Sequence, residues 1–151
     1  MQMTKDKALS KAMVYCAYRE RSSLEVIERL KNWRVKKEFI PEILNYLIED
    51  KYVDDQRFAI AFISGKFNLN KWGRVKISIE LRSKGISKEM ILVGLEIIPM
   101  GSYMECLKKL AENKFKTTKG ESTYIIQNKV ANYLQRKGFE SDLIWKTIKE
   151  I

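Results

Sequence analysis

Six basic residues fall between positions 66 and 84: Lys66, Lys71, Arg74, Lys76, Arg82 and Lys84. A single acid, Glu80, stands among them, and Phe67 and Trp72 are interleaved. Ammonium and guanidinium groups neutralise phosphates, and an aromatic ring can stack a base, so this pattern suits a nucleic-acid backbone. The same segment reads equally well as a solvated helix pair with Trp72 packed at a junction between units. A second basic group, Lys114, Lys116 and Lys119 around Phe115, lies in a Thr-rich connection expected to form an exposed loop, where scattered surface lysine is the commoner meaning.

Covalent and proton-transfer chemistry finds little to work with. The 151 residues contain no histidine, which removes Ser-His-Asp triads, Cys-His dyads, imidazole metal ligands and histidine proton shuttles. Gly65-Lys66-Phe67 lacks the upstream glycine and the Ser/Thr of a phosphate-binding P-loop, and Gly94 and Gly101 do not form G-x-G-x-x-G. Asp54-Asp55 is an adjacent acidic pair with no third ligand, so it reads as a helix N-cap plus a favourable charge at the positive helix end. Cys16 and Cys106 lie far apart in apolar helical contexts and read as buried thiols. The sequence therefore predicts a protein that is not an enzyme and carries no cofactor or metal.

The net charge of +10 points to polyanions or to acidic protein surfaces. It is spread along the chain, which excludes a discrete basic tail. The opening MQMTKDKALSKAM has no apolar core of the signal-peptide kind, and the apolar run from Met90 to Met100 is broken by Glu96 and Pro99. A soluble, cytoplasmic monomer with no membrane partner is the expectation.

The elements that must position these residues follow from a repeat. Leu30-Lys-Asn-Trp-Arg-Val35, Leu81-Arg-Ser-Lys-Gly-Ile86 and Leu134-Gln-Arg-Lys-Gly-Phe139 align, with their leucines 51 and 53 residues apart. Val26, Ile77 and Val130 precede each leucine by four residues, a helical spacing. A period near fifty marks a tandem supersecondary unit. Each unit reads as three helices, and the chain divides into repeats at 1–53, 54–98 and 99–151. In the first, Ser22 and Glu25 form a capping box. In the second, Phe58, Ala61, Phe62 and Gly65 share one helical face. Gly85 and Gly138 suit helix C′ positions, whereas Trp33-Arg34 replaces the corresponding Lys-Gly, which raises the expectation of an altered first turn.

The repeat also decides how KWGRVKISIEL folds. Val75, Ile77, Ile79 and Leu81 alternate like a strand, yet Ile77 and Leu81 occupy the helical columns of the repeat. A helix is predicted, with Ile77 and Leu81 on one side and Val75 and Ile79 nearly opposite, as in a helix sandwiched between two neighbours. On this helix the basic residues point several ways and form no single stripe. The turn Arg82-Ser83-Lys84-Gly85-Ile86-Ser87 is compatible with a helix-turn-helix, so a stand-alone DNA-binding protein or transcription factor is the alternative reading.

Tyr52-Val53-Asp54-Asp55-Gln56-Arg57-Phe58-Ala59, Arg21-Ser22-Ser23-Leu24-Glu25, and Gly73-Arg74 followed by Glu80-Leu81-Arg82-Ser83-Lys84-Gly85-Ile86-Ser87 resemble the RecX family of recombination regulators. The match is best over residues 15–98. The resemblance implies an all-α fold of three tandem three-helix repeats forming an elongated, curved body. It also implies binding to the RecA recombinase filament on DNA, with suppression of its ATPase, strand-exchange and co-protease activities in DNA repair, recombination and the SOS response; single- or double-stranded DNA itself is a further candidate partner.

Overall fold

The computed structural model describes residues 3–151, and the described residues form nine α-helices and no strand. In order they are α1 (Lys5–Tyr18), α2 (Ser23–Asn32), α3 (Phe39–Glu49), α4 (Asp55–Asn68), α5 (Arg74–Ser83), α6 (Lys88–Leu95), α7 (Met100–Thr117), α8 (Thr123–Arg136) and α9 (Ser141–Glu150). The fold is thus all-α and built of three-helix repeats.

Side-chain caps set most of the starts. Thr4 accepts from the Lys7 amide, Ser22 and Glu25 exchange hydrogen bonds as a capping box, and Ser122 accepts from the Ile125 amide. Asp54 Oδ1 accepts from the Arg57 amide at 3.0 Å at the head of α4. Pro99 precedes α7, where its missing N–H costs nothing.

The middle helices α2, α5 and α8 all end in one turn. Val35 N donates to Leu30 O, Ile86 N to Leu81 O and Phe139 N to Leu134 O, and the residue before each takes a left-handed backbone: φ 60° at Arg34, 81° at Gly85 and 97° at Gly138. Arg34 therefore keeps the turn that its sequence was expected to alter. Its side chain is exposed, and the left-handed backbone carries a local conformational cost.

The chain forms two compact units, Met1–Phe62 with Leu81–Gly94, and Ile63–Glu80 with Leu95–Ile151. The divisions fall inside α4, inside α5 and at the last residue of α6. In the first unit Ala8, Ala12 and Cys16 of α1 pack with Val26 and Leu30 of α2, Ile40, Ile43 and Leu47 of α3, and Val35 and Val53. In the second, Tyr103, Leu107 and Ala111 of α7 are buried, as are Val130 and Leu134 of α8 and Ile144 and Ile148 of α9. The repeat columns Val26/Ile77/Val130 and Leu30/Leu81/Leu134 are fully buried.

Two expectations are corrected. Along α4 the buried residues are Phe58, Ala59, Ile63 and Phe67, and Ala61 is exposed, so the buried stripe is turned by part of a helical turn from the one read in the sequence. On α5 Ile77 and Leu81 are buried, but Val75 and Ile79 are 44% and 63% exposed. The helix is covered on one side only. A third difference concerns Lys114 to Thr117, which continue α7 as its last turn and leave a connection of only residues 118–122.

Candidate functional site

The second unit brings distant parts of the chain to the first turn of α5. Gly73 N donates to Lys137 O at 2.8 Å and Val75 N to Gly138 O at 2.9 Å, so carbonyls that end α8 satisfy amides that begin α5. The backbones touch: a Cβ on Gly73 would stand 2.4 Å from the carbonyl of Gly138, and one on Gly138 would stand 2.3 Å from Lys76 Cβ. Both glycines are required by this approach.

Arg74 is drawn into the same joint. Its amide donates to the Tyr103 hydroxyl at 2.9 Å, its Nε donates to Glu140 Oε2 at 2.7 Å, and its guanidinium lies 4.2 Å from the centre of the Tyr103 ring. Tyr103 donates in turn to Glu140 Oε1. Burial, then the Glu140 hydrogen bond, pushes the Tyr103 phenol well above its ordinary pKa. Phe67 and Phe139 flank the ring, with centroids 5.9 and 5.1 Å away. The guanidinium is thus held by Glu140.

Two cations of this unit lie against Trp72. Lys66 Nζ and Lys76 Nζ lie 4.8 and 4.3 Å from its ring centroid. Lys71 has a left-handed backbone, φ 58°, and its Nζ donates to Asn68 O at 2.8 Å. Lys137 Nζ donates to Asn70 O at 2.6 Å. A cleft of about 340 Å³ adjoins them, lined by Phe67, Lys71, Cys106, Lys109 and Leu110 among others. Burial pushes the Cys106 thiol up, opposed by the charges of Lys71, Lys137 and Lys109.

The other candidate residues have other surroundings. Arg82 is exposed and Lys84 is half-buried in the first unit, with Lys84 Nζ 5.7 Å from the centre of the Phe62 ring. Gly85 faces Leu24 there, with room for an ordinary contact at 3.4 Å. Lys114 Nζ lies 4.7 Å from the centre of the Tyr133 ring, and Lys116 and Lys119 are exposed.

The motif Asp54-Asp55-Gln56-Arg57-Phe58 forms a joint of the first unit. Asp54 caps its own helix, whereas Asp55 Oδ1 accepts from Ser23 N at 2.7 Å and so satisfies the start of α2. Arg57 Nε donates to Glu20 at 2.7 Å and its Nη2 reaches Lys51 O at 3.1 Å, while Phe58 is buried.

Sequence reading missed Lys137, Lys109, Tyr103 and Glu140. Only the Leu-x-x-x-Gly pattern pointed toward Lys137, through its neighbour Gly138. Among the described residues no three Cys, Asp or Glu side chains come together as a metal site. What the arrangement can do chemically is bind, through ammonium groups aimed at anions.

The fold defines a helical-repeat protein. Residues 54–92 match the second three-helix domain of RecX, and residues 102–148 match the third. "Regulatory protein RecX" of Bacillus licheniformis is 35% identical over 144 residues, 95% of this chain and 55% of that protein. Its counterpart in Oceanobacillus iheyensis is 31% identical over 148 residues, 98% of this chain and 54% of that protein. The chain therefore spans about half the length of these curated relatives. A crystal structure of regulatory protein RecX superposes with a TM-score of 0.89 at 28% identity, covering 97% of this chain and 73% of that one. RecX from Lactobacillus salivarius gives 0.89 at 27% identity, covering 97% and 95%. The chain belongs to the RecX family.

Proposed function

We propose that this chain is a non-catalytic regulator that binds a RecA-type recombinase filament on DNA and inhibits its ATP hydrolysis, strand exchange and co-protease activity, in DNA repair, recombination and the SOS response. Membership of the RecX family is the observation that carries this reading. The basic surface around Trp72 supports it, since a filament offers both phosphates and acidic protein.

Tandem repeats also suit the task. Repeats at 1–53, 54–98 and 99–151 would each present a surface to a different filament subunit, so that modest contacts sum by avidity. The chain would act as a monomer in the cytoplasm. Among the described residues no single helix is long and apolar enough to cross a membrane.

The test is the ATPase rate of recombinase filaments on single-stranded DNA, titrated with this protein near physiological salt. Inhibition well below one molecule per recombinase subunit, without comparable binding to bare DNA, is the expected result. No inhibition, together with tight binding to naked duplex, would replace this reading with the stand-alone helix-turn-helix one.

A further inference from the structure

We propose that Lys71 and Lys137, anchored on the α4–α5 turn, and Lys76, which with Lys66 lies against Trp72, form a clamp for the phosphates of a nucleic-acid strand, in which Trp72 organises cations and does not stack a base. The choice of partner rests on the filament reading above, because a filament carries DNA.

The ring itself argues against stacking. Ammonium groups lie 4.8 and 4.3 Å from the indole centroid, and the ring is half-buried. A base reaching it would have to displace charges already attracted to its π-face. Phosphates, in contrast, meet those charges where they stand.

The cluster is assembled by the fold from residues that the sequence keeps apart. Gly138 rests against the backbone of Lys76, which sets the neighbouring Lys137 beside the α4–α5 turn. There Lys71 and Lys137 each spend one donor on a carbonyl of that turn, Asn68 O and Asn70 O. An ammonium has three donors, so each keeps two for phosphate oxygens while its position is fixed.

Two acids of this unit, Glu140 and Glu105, are engaged elsewhere. Glu140 holds Arg74 and Tyr103, and Glu105 holds Lys109. Among the described residues Lys71, Lys76 and Lys137 enter no ion pair. The first amides of α5 are filled by Lys137 O, Gly138 O and Tyr103, so side-chain charge alone would meet the anion.

Phosphodiester fits this set better than an acidic protein surface. A carboxylate is matched best by the planar fork of arginine, and the arginine here is turned inward to Glu140. Lysines are rotatable point charges, suited to a strand that presents an anion at every nucleotide.

The test measures binding of the full chain to a labelled thymidine oligonucleotide and to an abasic one of equal length, across a salt series. Similar affinity for both is expected. Replacing Lys71, Lys76 and Lys137 together by Gln, with the fold checked by circular dichroism, should lower the slope of log K against log salt by about 2, at roughly 0.7 per charge on a single strand. Tenfold weaker binding to the abasic strand, with quenched tryptophan fluorescence, would make Trp72 a stacking platform and overturn the proposal. So would an unchanged slope in the triple variant, or a variant that loses affinity for polyglutamate alone. Filament ATPase separates this from the wider reading. If the wild type inhibits and the triple variant binds DNA unchanged, only the clamp fails; if the wild type never inhibits, the filament reading fails while the oligonucleotide series still judges the clamp.

Discussion

Three residues in one kind of turn carry different loads. Gly138 combines a left-handed φ of 97° with a backbone neighbour 2.3 Å from where a Cβ would stand, so Gly138→Ala should cost about 3 kcal/mol, from the conformation and the overlap together. Gly85 has the conformation but only an ordinary contact with Leu24, and Gly85→Ala should cost about 1 kcal/mol. At Arg34 the strain is already present, so Arg34→Gly should stabilise by about 0.5 kcal/mol after the looser unfolded chain is counted. Urea unfolding of the three variants checks the order. Tyr103 gives a pH test. Its folded pKa lies above the unfolded value of about 10, so the stability gained by keeping the phenol neutral is present below that pH and lost as pH rises beyond it. The stability curve should fall above about pH 10, and fall less steeply in Tyr103→Phe. The sequence showed the glycines but not the reason for them, since Glu140 lies 66 positions from Arg74 and no local pattern links the two.

At the scale of elements, helix starts hold the first unit together. Asp54 satisfies α4 and Asp55 satisfies α2, so removing either to Ala should cost about 1 kcal/mol as the loss of a cap. An amide-exchange experiment should distinguish them, with Asp54→Ala loosening the first turn of α4 and Asp55→Ala that of α2. Glu25 adds a pH dependence. Burial alone would raise its carboxyl, but the Arg19 guanidinium and the Ser22 amide outweigh it and hold the pKa below the ordinary 4.5. Its contribution is therefore present above that pH and is lost as pH falls through the lowered value. Glu25→Gln should flatten the acid limb of the stability curve. The capping box was legible because both partners sit three residues apart, and the Asp54-Asp55 pair was legible as a helix start. The second duty of Asp55 was not, because its donor lies 32 residues away. Alternation also misled on α5: Val75 and Ile79 match a buried second face by type, but they are 44% and 63% exposed.

For the whole molecule the period near fifty was readable because burial repeats the same columns, Val26/Ile77/Val130 and Leu30/Leu81/Leu134. The division into two compact units was not, because it cuts through continuous helices and leaves no mark of composition. A helix is cooperative along its length, so α4 and α5 should couple the two units. Single-tryptophan variants that keep Trp33 in the first unit, or Trp72 or Trp145 in the second, should unfold in urea with one shared midpoint. The left-handed arginine at position 34 bears on how such an array could be extended by design. In the second unit a middle helix starts directly on the turn that closes another, and only glycine lets the two backbones meet. A builder adding a further three-helix repeat against the α2 turn would need glycine in place of Arg34 for an approach as close as that at Gly138, whereas the looser spacing at Gly85 would leave room for a Cβ.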